Sequence, residues 1–254
     1  MPEGDTIHRV VNRLRPMLEG ERVTRLAVTR LTGPLPQVGE IVDDVRAVGK
    51  HLVVDFSGGL SIRVHLRMTG SWHAYRPGQR WTKAPSTARV VIGTGDWIAV
   101  CFNAPDVTVG SDPDAELTHL GPDLCLPDAD IDAAVARFDR FLDPATPIGV
   151  ALLDQRVAAG IGNVYKCDVL HLRGVDPARA LGDIPVDERR ALLALASELL
   201  LANLGAGARQ TVPEGLAVYG REGERCRRCG VTIERFRQGA DQPRSTWWCR
   251  GCQT

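Results

Sequence analysis

Two cysteine pairs carry the most specific chemistry in the chain. Cys226-Arg-Arg-Cys229 and Cys249-Arg-Gly-Cys252 are separated by 19 residues, within the spacing of paired zinc knuckles. Two residues between thiolates let both sulfurs face one tetrahedral ion at ~2.3 Å. Two disulfides, or a redox CxxC, are the competing readings. No secretory signal is visible at the N-terminus, which favours the cytosol and reduced thiols. A redox motif would not need a second copy. The reading taken is one structural Zn2+, because four sulfur ligands leave no position open for catalysis. The 34 residues from Arg221 to Thr254 are too few to fold on an apolar core alone, so the metal should stabilise them. Val231, Ile233, Phe236, Trp247 and Trp248 fall mostly at β spacing, which predicts a pinned hairpin with Arg244 near its second strand. Cys101, Cys125 and Cys167 sit among apolar residues and read as inert small hydrophobes.

The N-terminus offers a nucleophile. Met-Pro-Glu begins the chain, and removal of Met1 would leave Pro2 as a secondary amine. With a pKa of about 8, an α-amino group is partly neutral near pH 7. Such an amine can attack an aldehyde carbon and form an iminium, a covalent electron sink. Glu3 places a carboxyl beside it for proton transfer. Alone, this opening is common and carries little. A third feature is Gln155 to Lys166. Gly160 and Gly162 predict a tight turn between helices, with Asn163 as N-cap ahead of Val164. A helix start after a Gly turn can receive phosphate, although the run taken alone favours an ordinary helical hairpin whose Asn merely caps a helix. Position 165 is Tyr where a dinucleotide fingerprint needs glycine, and no Gly-Lys-Ser/Thr follows. No organic cofactor is expected.

Charge narrows the partners. The 31 basic and 31 acidic residues cancel, which by itself argues against a polyanion. The distribution argues the other way. Asp106 to Asp143 holds ten acids and two bases, whereas Arg221 to Thr254 holds eight bases and four acids. Local patches rather than totals set phosphate affinity, although an Arg-rich end is also compatible with a plain solvated surface. No apolar run approaches the roughly 18 residues of a membrane span. The longest, Ala191 to Leu201, is interrupted by Glu198.

These residues need elements to hold them. Ile7, Val10, Val11, Leu14, Met17 and Leu18 follow helical spacing over residues 5–18, and Pro16 should end or bend that helix. From about Val23 to Val109, short runs (Ile41–Val48, Leu52–Phe56, Leu60–Leu66, Arg89–Ile92, Trp97–Phe102) broken by Gly, Pro and Asp predict a β-sandwich or barrel. Asp112 to Asp130 reads as a linker. Ile131–Phe141, Ile148–Leu153, Val164–Leu172 and Val186–Leu204 predict helices, with Pro185 in a first helical position and Gly205 as a C-terminal cap.

The motifs in combination are far more specific. Pro2-Glu3-Gly4, Gly49-Lys50-His51-Leu52, His65-Leu66-Arg67-Met68-Thr69-Gly70, Leu120-Gly121-Pro122-Asp123, Gln155 to Tyr165, Val218-Tyr219-Gly220-Arg221 and the four-cysteine end occur in one order over nearly the whole chain. Together they resemble the Fpg/Nei family of DNA glycosylases. The resemblance implies a multidomain α+β fold. Residues 1–112 would be a catalytic β-sandwich with flanking helices, 113–130 a linker, 131–213 a helix-two-turn-helix DNA-binding domain, and 214–254 a zinc finger hairpin. It implies a bifunctional enzyme that excises an oxidised base and then nicks the strand.

Carried onto this chain, Pro2 is the Schiff-base nucleophile at C1′ of the deoxyribose and Glu3 the proton donor that helps open the sugar. Lys50 matches a lysine that contacts phosphate and assists elimination. Asn163 and Arg244 match residues gripping the phosphates that flank the lesion, and Arg244 is also associated with the second elimination. The base must leave the stack, and Arg67 and Met68 occupy the loop that fills its void; otherwise they would be a strand end with Met in the core. His119 stands at a DNA-contact position where the family usually has Arg.

Branch features favour the Nei, or endonuclease VIII, side. The opening reads Pro-Glu-Gly rather than Pro-Glu-Leu. Only Gly205–Ala217 separates the last helix from Val218, little room for a long loop over 8-oxoguanine. The Leu153-Asp-Gln-Arg-Val run resembles the actinobacterial endonuclease VIII-type group. Expected substrates are therefore oxidised pyrimidines in damaged DNA, handled by a cytoplasmic, nucleoid-associated monomer. An Fpg-type 8-oxoguanine/formamidopyrimidine glycosylase and a noncatalytic zinc-dependent DNA-binding protein are the alternatives.

Overall fold

The computed structural model describes residues 2–240 and 243–254, and within them the chain forms two compact units, 1–119 and 120–254. The first opens with helix α1 (Gly4–Leu18) and continues in eight strands: β1 (Arg25–Val28), β2 (Val42–Val48), β3 (His51–Phe56), β4 (Ser61–His65), β5 (Ser71–Tyr75), β6 (Ala88–Gly93), β7 (Ile98–Phe102) and β8 (Asp106–Gly110). They make two antiparallel four-stranded sheets, ordered β2-β3-β4-β8 and β1-β6-β7-β5. Val45, Val54 and Val64 of one sheet share a core with Val90, Ile92 and Cys101 of the other, as the alternating pleat requires. Ile7, Val11 and Leu14 of α1 enter the same core. Arg13 donates to the Trp72 carbonyl at 2.6 Å and Arg15 to the Val45 carbonyl at 2.9 Å, which ties α1 to both sheets. Pro16 lies in the last turn of α1, and the helix closes two residues beyond it.

Every residue of β6 is buried. Val90 and Ile92 face the shared core, while Val91 packs outward with Tyr75, Val100 and Phe102 under Trp81. That second cover explains why Arg89–Ile92 shows no polar alternation. The expected strands all form, and β1, β5 and β8, which the sequence reading omitted, complete the sheets.

The second unit holds α2 (Ile131–Phe141), α3 (Ile148–Ala151), α4 (Asn163–Arg173), α5 (Val186–Ala202) and a hairpin of β9 (Glu234–Gln238) and β10 (Arg244–Trp248). Asp130 caps α2, its Oδ1 accepting from Ala133 N at 2.8 Å. Phe138, Tyr165, Leu170, Leu192 and Leu200 are among the core residues these helices share. Two cap expectations are corrected. Pro185 is the N-cap of α5 rather than its first residue. Asn203, not Gly205, ends it: its Nδ2 reaches the Leu199 and Gln210 carbonyls, and its Oδ1 accepts from Gln210 N. An Asn side chain can close the helix end and anchor the next segment together, which glycine cannot.

Candidate active site

In the first unit, Pro2 is half-buried and Glu3 is fully buried at the N-cap of α1. The Glu3 carbonyl accepts from Thr6 N at 3.0 Å and Ile7 N at 3.2 Å, so the first helical turn fixes its backbone. Helix α1 packs along β2 and β3, and the tight turn joining those strands carries Lys50, with Gly49 at φ 57. Met1 lies outside the described residues.

Beyond β4, residues 66–70 form a tight turn closed by Gly70 N to the Leu66 carbonyl at 2.9 Å. A Cβ on Gly70 would sit 2.7 Å from that carbonyl oxygen. Arg67 adopts the left-handed region, φ 49, uncommon for a residue with a side chain. Its N–H donates to His65 Nδ1 at 3.2 Å, its guanidinium pairs with Asp106 at 2.5 Å, and Thr69 Oγ1 donates to the Asn103 carbonyl. The turn thereby thrusts Met68 outward, 62% exposed. The reading of Met68 as core is overturned: the reversal at Arg67 points it to solvent. His51 and His65 pair across β3 and β4 with ring centroids 4.7 Å apart. Burial, with Arg63 and Arg67 nearby, pushes His51 down to about 3 and His65 down to about 4. Both rings are therefore neutral at pH 7, as the acceptor role of His65 Nδ1 requires. They line a cavity of about 410 Å³ with Arg63, Arg67 and Asp106. His119 is exposed at the end of this unit.

In the second unit, Gln155 holds the loop ahead of α4. Its Nε2 donates to the Leu153 and Ile161 carbonyls at 2.8 and 3.0 Å, and its Oε1 accepts from Gly160 N at 3.2 Å. Gly160 sits at φ 104. The Leu120-Gly121-Pro122-Asp123 segment runs beside this loop, with Gly121 N on the Gln155 carbonyl and Ala159 N on the Pro122 carbonyl. A side chain on Gly121 would drive into the Val157 backbone. Asn163 is not the N-cap of α4, as the sequence suggested; Gly162 is. Asn163 is the first helical residue, and its Nδ2 donates to the Ser245 carbonyl at 2.7 Å. That bond puts Asn163 next to exposed Arg244 at the start of β10. Asn163 Oδ1 is buried and accepts no hydrogen bond from the protein.

The four Sγ atoms of Cys226, Cys229, Cys249 and Cys252 all lie within 4.8 Å of one another. Cys226 and Cys252 are 3.7 Å apart, and Cys229 and Cys249 3.4 Å. Zinc–sulfur bonds of about 2.3 Å in a tetrahedron imply sulfurs about 3.8 Å apart, so the donor set fits a structural zinc. Cys226 and Cys249 pack with Ile233, Val218 and Cys167 of α4. The inert reading of the other cysteines fits Cys101 and Cys167, whose thiols burial pushes up to about 12 and about 11.

Two buried charges escaped the sequence reading. Lys166 and Asp168 lie on α4, where nine consecutive residues from Asn163 to His171 are buried. Lys166 Nζ donates to Thr246 Oγ1 at 2.6 Å. The Asp168 carboxylate accepts from Ala217 N (2.8 Å), Val218 N (3.0 Å), Tyr219 N (2.9 Å) and the Thr211 hydroxyl. It thus organises the Val218-Tyr219-Gly220-Arg221 motif, while Lys166 holds the hairpin. Two opposite charges amid apolar residues were the available signal, since such groups are buried only when bonded.

Comparison with known proteins agrees with this architecture. Residues 1–105 match the formamidopyrimidine-DNA glycosylase N-terminal domain, and residues 120–212 the formamidopyrimidine-DNA glycosylase H2TH domain. The chain is 41% identical to a probable endonuclease 8 2 of Streptomyces coelicolor, over all of this chain and 94% of that protein. It is 39% identical to the DNA-(apurinic or apyrimidinic site) lyase Nei2 of Mycolicibacterium smegmatis (100% and 99% covered), and 32% to a formamidopyrimidine-DNA glycosylase of Ruegeria pomeroyi over both full lengths. The fold superposes on Lactococcus lactis formamidopyrimidine-DNA glycosylase, solved with DNA containing an AP site, at TM-score 0.82 and 22% identity, with 99% of each chain covered. The chain belongs to the Fpg/Nei family of DNA glycosylases, as its motifs led one to expect.

Proposed function

We propose that this protein is a bifunctional DNA glycosylase and AP lyase acting on oxidised pyrimidines in DNA. The observation that carries it is Pro2 followed by a fully buried Glu3 at the start of α1, in a chain matched end to end by an AP lyase and by endonuclease 8 proteins. With Met1 removed, the Pro2 amine attacks C1′ of the deoxyribose. Glu3 supplies the proton that opens the sugar ring, and the bond to the damaged base breaks. The resulting iminium acidifies the C2′ proton. Loss of that proton expels the 3′ phosphate, and a second elimination expels the 5′ phosphate. Lys50 contacts phosphate and assists the first elimination; Arg244 serves the second. Asn163 and Arg244 grip the flanking phosphates; their adjacency through Ser245 supports this pairing. Met68, displayed by the Arg67 turn, fills the gap left by the flipped base, and His119 is assigned a peripheral DNA contact.

In this reading, residues 1–112 carry the chemistry, 113–130 link, and 131–213 and 214–254 bind DNA. The four cysteines hold one Zn2+, which supplies rigidity and no reaction step. The protein works as a monomer in the bacterial cytoplasm. The pyrimidine preference rests on the short Gly205–Ala217 connection and on the higher identity to endonuclease 8 relatives than to formamidopyrimidine-DNA glycosylases.

Borohydride trapping on an abasic-site oligonucleotide tests the chemistry, with the N-terminus verified by mass spectrometry. A covalent adduct is expected, and it should vanish when one glycine is inserted ahead of Pro2. No adduct from correctly processed protein would favour the noncatalytic DNA-binding reading. Faster release of 8-oxoguanine than of thymine glycol would move the enzyme to the purine branch.

A further inference from the structure

The loop between β5 and β6 builds a second basic site. It reads Arg76-Pro-Gly-Gln-Arg-Trp-Thr-Lys83 and lies over the outward face of the β1-β6-β7-β5 sheet. A cavity of about 510 Å³ there is lined by Arg25, Arg80, Lys83, Trp81 and neutral neighbours, with no carboxylate. It shares no lining residue with the cavity beside His51.

The loop is anchored. Trp81 packs edge-on to Phe102, with centroids 5.6 Å apart, and stacks near Tyr75 at 6.1 Å. Tyr75 OH bonds Thr82 Oγ1 at 2.9 Å and accepts from Thr82 N at 3.2 Å. The three cations are held by neutral groups or by none. The Arg25 guanidinium lies 5.7 Å from the Trp81 ring, and Arg25 pairs across the sheet with Gly93, where a Cβ would come within 2.9 Å of Arg25 Cβ. Lys83 Nζ donates to Ser71 Oγ at 2.8 Å. Arg80 has no ion pair among the described residues. Five arginines elsewhere, Arg46, Arg63, Arg67, Arg156 and Arg173, pair with carboxylates. In a chain of zero net charge, this pocket keeps three uncompensated charges in a concavity, which focuses a positive field.

We propose that Arg25, Arg80 and Lys83 form a phosphate-binding site for the phosphodiester backbone of nucleic acid, distinct from the cavity beside His51. The choice of nucleic acid over another anion rests on the DNA-acting reading given above. Arg25 and Lys83 are positioned without being neutralised, so a phosphate gains their full charge at little cost in ordering those two side chains. Releasing condensed counterions from the strand then drives binding. Because the contact is to backbone, it carries no sequence or lesion preference.

Salt-dependent binding of an undamaged duplex of about 40 base pairs tests this, with an Arg80→Gln/Lys83→Gln double variant. The variant can neutralise two fewer phosphates, so the slope of log K against log salt should shrink in magnitude by about 1.8. Binding to a short duplex of about 10 base pairs carrying one abasic-site analogue should be unchanged, as should borohydride trapping on it. An Arg80→Lys/Lys83→Arg variant should restore the long-duplex slope, which separates charge from folding. An unchanged slope in a folded double variant overturns the proposal. So does an equal loss on the short duplex, which would assign these residues to the lesion site. Saturation of the pocket by inorganic phosphate, read from Trp81 fluorescence, with no effect of the variant on long DNA would make it a small-anion site instead. The long-duplex measurement needs no catalysis, so a protein that fails to trap still answers this question.

Discussion

At the level of single residues, most of the chemistry is set by what surrounds a side chain. Asp168 is the clearest case: one carboxylate satisfies three consecutive backbone N–H groups and a hydroxyl in a site closed to water. Removing it leaves buried donors unmet, each costing about 1–3 kcal/mol. Asp168→Ala should therefore destabilise the helical unit by about 3 kcal/mol or more and lower Tm by roughly 6–12 °C in a thermal melt. Met68→Ala should behave oppositely. Its side chain is 62% exposed, so stability should stay within about 0.5 kcal/mol while excision from a lesion duplex slows. The histidine pair gives a pH signature. His51 and His65 are pushed down in the folded state to about 3 and about 4, whereas the unfolded chain protonates them near 6.5. Below about pH 6.5 the unfolded chain binds protons that the folded chain refuses, so stability falls as pH drops towards 4. The slope is about 1.4 kcal/mol per pH unit for each such histidine. Tm measured between pH 7 and 4.5 should show it, and His65→Asn should make the decline shallower. Asn Oδ1 can replace His Nδ1 as the acceptor of the Arg67 N–H without titrating.

At the level of elements, local signals were readable where the chain's own neighbours decide. Helix α2 spans the Ile131–Phe141 that its periodicity predicts. The four cysteines carry their geometry in their spacing. The short run at 71–75 and the flanking strands β1 and β8 were not legible, because strand identity there depends on partners far along the chain. Strand β1 pairs with β6, and β8 with β4. Asn163 was misplaced by one position for a similar reason. Ahead of an apolar helix an Asn is a good cap, but Ser245 offers a carbonyl that only the folded hairpin brings close. The segment that runs beside the loop ahead of α4 makes a prediction at this scale. Gly121→Ala places a methyl group into the Val157 backbone, which cannot yield as a flexible side chain would. A loss of about 1–3 kcal/mol is expected from such overpacking. Far-UV circular dichroism melts should show it, with the β-sandwich unit unaffected.

Across the whole molecule, two units with separate apolar cores carry a net charge of zero. No helix among the described residues is long and apolar enough to cross a membrane. Separate cores predict separable responses to metal removal. Stripping the four-cysteine site with a strong chelator should loosen the β9–β10 hairpin, because a segment this small lacks an adequate core of its own. Amide exchange at residues 226–252 should rise sharply and DNA affinity should fall. The amides of β3, β4, β6 and β7 should stay protected. Uniform exchange across both units would mean that they fold as one.

The sequence by itself determined the grouping of the four cysteines, the family through its ordered motifs, the helices with strong local periodicity, and the sandwich class of the first unit. These follow from residue types and short spacings, which physical chemistry fixes before any long-range contact forms. The tertiary structure decided which face each strand buries, and the outward display of Met68 from a left-handed Arg67. It decided the bond from Asn163 to the Arg244 strand, and the roles of Lys166 and Asp168 inside a fully buried helix. Each of these depends on desolvation and on partners dozens of residues away, and burial changes what a charged or polar side chain can do only once those partners have arrived.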